Sequence, residues 1–143
     1  MHFEEFEGLP SRTNPMSLME YQMAARMTAI YPGRGSMIGL MYAALGLNGE
    51  AGECAEKVKK LMREEEDLLV EHANDFTYGV SSSKPYPDLR KQQMVMELGD
   101  VMWYLSAMCD ELGVTLEEVA AANIQKLKSR QQRNMLHGNG DTR

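Results

Sequence analysis

The spacing of the apolar residues limits the folds open to this chain more than any other feature of its sequence. Over residues 37–65, apolar side chains recur at every third or fourth position among Glu and Lys, which is typical of an amphipathic helix. The same spacing predicts helices over 16–30, 88–112 and 115–133, and few alternating β-type segments compete with it. We therefore expect an all-α bundle of four to five helices in one domain, residues 1–143.

Local signals mark the ends of these predicted helices. Asn14 and Pro15 look like a cap and an early-helix proline before the first helix. Thr115 followed by Glu118 forms a capping box at the start of the fourth helix, and Gly113 is a fitting end for the third. The predicted boundaries therefore rest on local chemistry as well as on periodicity.

A polar segment at about residues 66–88 separates the second and third predicted helices. Its Ser, Pro and Gly residues are typical of a loop, and we expect an inserted loop within the single domain. The ending, residues 137–143, is too rich in Gly, Asn and Asp to continue a helix.

Charge and hydropathy exclude several classes of protein. The formal charge of -6 argues against a nucleic-acid partner, because general nucleic-acid binders usually carry a basic face. No apolar run approaches the roughly 20 residues of a membrane span, and the N-terminal residues lack the basic and apolar regions of a signal peptide. We therefore expect a cytoplasmic protein with neither a membrane nor a nucleic-acid partner.

One acid-bearing motif, Glu-x-Gly-acid, is written twice, at residues 50–53 and 97–100. At helical spacing, the acids fall about 80° to one side of each predicted apolar stripe. Those stripes centre near Leu40, Leu47 and Val58 on the second helix and near Leu98, Leu105 and Cys109 on the third. If the two helices are neighbours, four carboxylates converge: Glu50, Glu53, Glu97 and Asp100. Glycines beside them would let the helix backbones approach and leave room near the acids.

Converging carboxylates repel one another unless a cation joins them. Glu and Asp oxygens suit Mg²⁺ or Mn²⁺, and Mg²⁺ usually keeps waters and adds phosphate oxygens. The alternative is a set of solvated acids, in which Glu53 forms a helical ion pair with Lys57 four residues further on. The duplicated motif favours the metal site over this alternative.

The ordered set of motifs resembles the MazG-like all-α nucleoside triphosphate pyrophosphohydrolases. That family pairs Glu-x-x-Glu on one helix with Glu-x-x-Asp on the next, and "GLNGEAGECAEKVKK", "ELGDVMWYL", "NIQKLKSR" and "HGNGD" resemble its small phage and bacterial members. The resemblance implies a helical dimer or tetramer that cleaves a nucleoside triphosphate between the α and β phosphates. It also implies that Glu50, Glu53, Glu97 and Asp100 hold Mg²⁺ or orient the attacking water.

The resemblance further implies a set of substrate contacts. Tyr104, one helical turn beyond Asp100, would reach a phosphate oxygen, although an ordinary half-buried tyrosine is the alternative. Asn123, Lys126 and Arg130 lie at helical spacing and would contact sugar or phosphates. Their alternative is a solvated, basic helix terminus that the helix dipole favours.

Two departures from the family leave questions open. The family often carries another Glu immediately before the first pair, where this chain has Gly49, so the number of metals stays open. The span between the two acid pairs is also longer than usual.

A non-catalytic helical oligomer that binds metal or nucleotide for regulation is the alternative function. The chain has neither a Glu-x-x-His pair of di-iron bundles nor a phosphate-binding P-loop motif.

Large apolar side chains bear on packing and assembly. Several of the 13 methionines fall on core-facing stripes and are predicted to fill the core rather than bind a nucleobase. Trp103 is predicted to point away from the core of its helix, which favours a subunit interface over a nucleobase platform. The apolar stripes exceed what one four-helix unit can cover, so we expect at least a dimer.

Overall fold

The computed structural model describes residues 15–64, 70 and 88–133, and the regular structure in these ranges is helical, without a strand. Four helices follow in chain order: α1 (Leu18–Met27), α2 (Met37–Glu64), α3 (Asp88–Leu112) and α4 (Leu116–Gln132). The all-α prediction is confirmed. No helix in the described part of the chain is both long and apolar enough to span a membrane.

Helix α1 begins at a serine cap. The Ser17 hydroxyl accepts a hydrogen bond from the Glu20 backbone N–H at 3.1 Å, and the Glu20 carboxylate accepts one from the Ser17 N–H at 2.8 Å. This capping box satisfies two backbone donors that would otherwise lack partners. The prediction of Asn14 and Pro15 as the helix start was therefore wrong, although Asn14 itself lies outside the described residues.

The junction between α3 and α4 follows the predicted signals. Gly113 adopts a φ of 69°, a left-handed conformation in which glycine avoids the steric cost of a side chain. The Thr115 hydroxyl accepts from the Glu118 N–H at 3.1 Å, and the Glu118 carboxylate accepts from the Thr115 N–H at 2.7 Å. Both predictions are confirmed, and the chain turns sharply between the two helices.

Helices α2 and α3 form the main helix pair and run antiparallel. Contacts from one end of the pair to the other show the direction: Gly39 with Glu111, Gly46 with Tyr104, Lys57 with Glu97 and Glu64 with Arg90. Small residues line this seam on α2. An added Cβ at Gly39 would lie 2.8 Å from the Glu111 carboxylate, so a larger residue would not fit there without a shift.

Polar contacts dock α1 onto the α3–α4 junction. The buried Gln22 amide donates to Asp110 Oδ1 at 2.8 Å and to the Val114 carbonyl at 3.1 Å. Its carbonyl oxygen accepts from the Leu116 N–H at 2.8 Å. Arg26 Nε donates to Asp110 Oδ2 at 2.9 Å. The buried Gln22 amide and the Asp110 carboxylate therefore hold α1 against α3 and the start of α4.

The predicted apolar stripe of α3 is buried only in part among the described residues. Cys109 is buried as predicted, whereas Leu98 and Leu105 are exposed and Ala107 is buried instead. The half-buried Trp103 packs against the core. The prediction that Trp103 points away from the core was therefore wrong.

Specific contacts hold the Trp103 ring in place. Its indole N–H donates to Thr28 Oγ1 at 2.7 Å. Its ring packs edge-on against Tyr104 with centroids 4.8 Å apart. The indole therefore has a hydrogen-bond partner and an aromatic neighbour within its own chain.

Many large apolar side chains of the described residues lie outside this core. Met27 is 83% exposed and Ile30 is 93% exposed. We define the outer stripe of α1 as Met19, Met23 and Met27 together with Met16, which lies just before the helix. Residues at the start of α2 are exposed as well: Met37, Ile38, Met41 and Leu45. The prediction that the methionines fill the core was wrong for these positions within a single chain.

The predicted insertion at 66–88 and the ending at 137–143 fall outside the described residues, apart from Val70 and Asp88. The inserted loop and the single-domain boundary thus stay predictions.

Candidate metal centre

Three of the four predicted acids meet where α2 crosses the middle of α3. Carboxylate oxygens of Glu50, Glu97 and Asp100 all lie within 4.8 Å of one another. Glu50 and Glu97 are half-buried, and Asp100 is exposed. We call these three residues the acid cluster. Its position at the edge of the helix seam leaves it open to solvent on one side.

Gly46 sets the packing of α2 beside this cluster. A Cβ added at Gly46 would lie 2.0 Å from a ring carbon of Tyr104, so glycine is needed for the ring to pack there. An added Cβ at Gly49, Gly52 or Gly99 meets no atom of the described residues within 4 Å, apart from its own helix backbone. The prediction of close backbone approach was therefore wrong for these three glycines, which leave open space near the acids.

Like charge and burial shape the electrostatics of the acid cluster. Burial raises the pKa of Glu50, and the negative charges of Asp100, Glu97 and Glu53 raise it further. These four acids are close enough for their charges to act on one another. A group of carboxylates in this arrangement favours any cation that can neutralise it.

The donor set of the acid cluster suits a hard divalent cation. Mg²⁺ binds oxygens at about 2.1 Å, so oxygens on opposite sides of one ion lie roughly 4 Å apart. The separations within the cluster, up to 4.8 Å, come close to this span. Small side-chain rotations would bring the oxygens to one ion. The residues present therefore fit such an ion.

A lysine reaches the acid cluster from α2. Lys57 Nζ lies 3.0 Å from Glu97 Oε1, and the two side chains are 27% and 18% exposed. The alternative of solvated acids paired Lys57 with Glu53. The structure instead pairs Lys57 across the seam, because the antiparallel helices bring Glu97 opposite it.

Glu53 lies one helical turn beyond Glu50 and is exposed. Its carboxylate is not part of the group of oxygens within 4.8 Å. Its charge nevertheless contributes to the raised pKa of Glu50. Glu53 therefore borders the acid cluster and is available as a further oxygen donor.

Tyrosines adjoin the acid cluster. Tyr104 is half-buried and hydrogen-bonded to Tyr42, with ring centroids 6.4 Å apart. Burial, this hydrogen bond and the charges of Glu50 and Asp100 raise the pKa of Tyr104. The Tyr104 phenol thus stays protonated at neutral pH and can donate a hydrogen bond.

Two of the neighbouring tyrosines were not predicted. Burial and the charge of Asp100 raise the pKa of Tyr21, which places this α1 residue near the acids. Tyr42 lies eight residues before Glu50, about 80° around α2 from it, so its spacing was only a weak signal that it neighbours the acids. Tyr21 gave no such signal, because its position depends on how α1 docks.

The predicted contacts on α4 lie on a different part of the fold. Asn123 and Lys126 are exposed and Arg130 is half-buried. Within the described ranges α4 packs on α1 and α3 but not on α2, which supplies Glu50. The structure does not bring these three residues into the acid cluster.

Comparison with known proteins gives this geometry a family. Residues 42–135 match the MazG nucleotide pyrophosphohydrolase domain, a span that includes the acids of both helices. The Gene 37 protein of Mycobacterium phage L5 is 42% identical over 126 residues, which cover 86% of this chain and 96% of that protein. No solved structure matches. The match covers most of the chain and the relative is similar nearly end to end, so the chain belongs to the MazG nucleotide pyrophosphohydrolase family.

Proposed function

We propose that this protein hydrolyses a nucleoside triphosphate to the nucleoside monophosphate and pyrophosphate, with Mg²⁺ as cofactor. The observation that carries the proposal is the convergence of Glu50, Glu97 and Asp100 from two helices in a member of this family. A role in clearing the nucleotide pool of the cytoplasm follows from such an activity. The substrate is a ribonucleotide or a deoxynucleotide.

The metal site proposed here uses the acid cluster and Glu53 as oxygen donors. Mn²⁺ would substitute for Mg²⁺, because both accept carboxylate oxygens. When bound, the cation neutralises negative charge that develops on the phosphate oxygens. The absence of described atoms within 4 Å of an added Cβ at Gly49, Gly52 or Gly99 supports a triphosphate site beside the acids.

The substrate contacts proposed here start with Tyr104. Its raised pKa keeps the phenol protonated, so its O–H can donate to a phosphate oxygen near Glu50 and Asp100. Asn123, Lys126 and Arg130 remain proposed contacts to sugar or phosphates. An amide and two cations suit those groups.

The reaction proposed here is a direct attack of water on the α-phosphorus. A carboxylate of the acid cluster or Glu53 orients the water and accepts its proton, and the bond from the α-phosphorus to the bridging oxygen breaks as the new P–O bond forms. Pyrophosphate leaves with that bridging oxygen. The residues act mainly by positioning and electrostatics, so no covalent intermediate with a Ser, Cys or His is needed.

A homodimer or homotetramer is part of the proposal. The outer stripe of α1 and the start of α2 expose a run of large apolar side chains. Soluble monomers rarely expose contiguous apolar patches of this kind. A second copy of the chain is the proposed cover for these surfaces.

Pyrophosphate release from a panel of ribo- and deoxyribonucleoside triphosphates, with Mg²⁺ and with EDTA, tests the activity. We expect release with at least one substrate, dependent on Mg²⁺ and lost in the Asp100→Asn variant. In ¹⁸O-water, the label should appear in the monophosphate and not in pyrophosphate. Label in pyrophosphate, or release of orthophosphate, would overturn the site of attack. Absence of turnover with every substrate would favour the non-catalytic alternative.

A further inference from the structure

We propose that Lys57 is the resident counter-ion of the acid cluster, and that it competes with a divalent cation for the charge of Glu97. In the metal-free protein the ammonium group neutralises part of the cluster. A bound metal ion would neutralise the cluster in its place, and the ion pair between Lys57 and Glu97 would become weaker. This role rests on the proposed metal site and adds a residue that sets the affinity of the site for its cation.

The geometry of the Lys57–Glu97 pair distinguishes it from ordinary surface ion pairs. Its Nζ–Oε1 distance is 3.0 Å, and its side chains are 27% and 18% exposed. The Lys59–Glu56 pair on the same helix is 67% and 37% exposed and joins neighbouring turns of one helix. Reduced contact with water leaves the first pair less screened than the second.

The register of the two helices brings Lys57 to the cluster. Lys57 follows Glu50 by two helical turns, so both lie on the face of α2 that meets α3. Glu97 lies opposite this interval on the antiparallel helix. Glu97 therefore has neighbours of both charges: its carboxylate lies within 4.8 Å of the other two acids and is in contact with Lys57.

The charge of Lys57 predicts how this residue changes the affinity of the acid cluster for a divalent cation. Three ionised carboxylates carry three negative charges, and Lys57 offsets one of them. A divalent cation is therefore attracted less strongly while Lys57 is present, because the lysine carries the same sign of charge. If Lys57 instead served mainly to orient Glu97 for the metal, its removal would weaken metal binding. The two roles thus predict opposite changes in affinity.

The test compares Lys57→Met with Lys59→Met in the full-length protein. Both variants remove one lysine from α2 and keep a long, helix-favouring side chain. Mn²⁺ binding is measured by electron paramagnetic resonance, and thermal unfolding is measured in EDTA and at saturating Mg²⁺. A third variant, Lys57→Arg, keeps the charge.

We expect Lys57→Met to bind Mn²⁺ about tenfold more tightly than the wild type, while Lys59→Met binds like the wild type. In EDTA, Lys57→Met should melt at a lower temperature than Lys59→Met, because its carboxylates repel without a counter-ion. Saturating Mg²⁺ should narrow this gap. Lys57→Arg should stay close to the wild type in both measurements.

Weaker or unchanged Mn²⁺ binding by Lys57→Met would overturn the counter-ion role while leaving the proposed function in place. Equal melting of the two Met variants in EDTA would also overturn it. If the wild-type protein bound no Mn²⁺, the proposed metal site would be wrong. The proposed competition between Lys57 and the cation would then be wrong as well. The two failures are therefore distinguishable.

Discussion

Contacts within one chain fill the seam between α2 and α3, but they leave the outer stripe of α1 exposed. Small and polar side chains line the seam, where Gly46 contacts Tyr104 and the acid cluster is assembled. Large apolar side chains form the outer stripe, and they are exposed. Within the described residues, one chain therefore brings the acids together, whereas its largest apolar side chains stay exposed.

This contrast bears on stability as well as on function. The buried apolar residues of the described chain are few and mostly small, with alanine at positions 29, 43 and 107. Alanines bury little apolar area, and hydrophobic stabilisation is roughly proportional to that area. We therefore expect much of the stability of the protein to come from association, while the geometry of the acids comes from contacts within the chain.

The largest expected effect is on activity at the seam. Replacing Asp100 by Asn, or Glu53 by Gln, keeps shape but removes one negative charge, so turnover should fall about a hundredfold or more. The helical content should persist. Initial rates of pyrophosphate release and circular dichroism provide the two measurements. Wild-type turnover in both variants would remove the metal-site assignment, and wild-type turnover in Glu53→Gln alone would restrict the site to the acid cluster.

Association should respond to a charge in the outer stripe. Met27→Glu places a carboxylate where a partner's apolar surface is expected, and an unpaired buried charge is costly. The dissociation constant of the oligomer should rise about tenfold or more. Gln131→Glu changes the net charge equally at an exposed position of α4 and is the matched control. Light scattering over a concentration series measures both; a fully active monomeric wild type would contradict the proposed assembly.

Two glycine variants separate packing from helix propensity. Gly46→Ala forces the Tyr104 ring to move, so we expect it to destabilise the protein by about 1–3 kcal/mol and to lower turnover. The added methyl group of Gly49→Ala meets no atom of the described residues outside its own helix backbone within 4 Å, so this substitution should stabilise the helix by about 0.5–1 kcal/mol. Urea unfolding of the metal-free protein measures both. Equal effects of the two substitutions would contradict the close contact at Gly46.

The smallest expected loss of stability concerns the polar contacts that dock α1. Burial acts to raise the pKa of Asp110, but hydrogen bonds from Arg26 and Gln22 bring it below its ordinary value. The carboxylate thus contributes stability that is present above its unfolded pKa of about 3.9 and is lost as pH falls through the lower folded pKa.

Asp110→Asn removes this contribution, so the variant should be less stable at pH 7 by about 1 kcal/mol. The gap from the wild type should narrow as the pH falls below the unfolded pKa of the carboxyl. Urea unfolding at a series of pH values measures the gap. A gap that does not change with pH would show that the charge of Asp110 has no part in docking α1.

Sequence alone predicted the helices well because their ends depend on local chemistry. Thr115 and Glu118 form the expected capping box, and Gly113 ends α3 as expected. The start of α1 was misplaced, since Ser17 with Glu20 is the actual capping box. The two signals lie within a few residues of each other, and the prediction overlooked the capping box of Ser17 with Glu20.

The buried faces of the helices were harder to predict. Apolar periodicity indicates that one face of a helix is buried, but it does not identify the surface that packs against that face. Leu98, Leu105 and Cys109 were predicted to define the core side of α3, yet of these three only Cys109 is buried. The small residues of α2 mark the contact between the two helices instead. The error in placing Trp103 has the same cause.

The candidate site was predictable in part. The repeated spacing of the acids indicated that they would converge, and Glu50, Glu97 and Asp100 do so. The pairing of Lys57 with Glu97 was not predictable, because it depends on the register between two helices. Tyr21 likewise reaches the site only through the docking of α1.

The most direct test of the central claim is to locate the metal. Crystals grown with Mn²⁺ and a nucleotide whose α–β bridge resists hydrolysis would be measured at the manganese absorption edge. We predict an anomalous peak within coordination distance of carboxylates from Glu50, Glu97 and Asp100, with the triphosphate beside it. A peak elsewhere, or no peak between α2 and α3 at saturating Mn²⁺, would contradict the assignment of the acid cluster as the catalytic metal site.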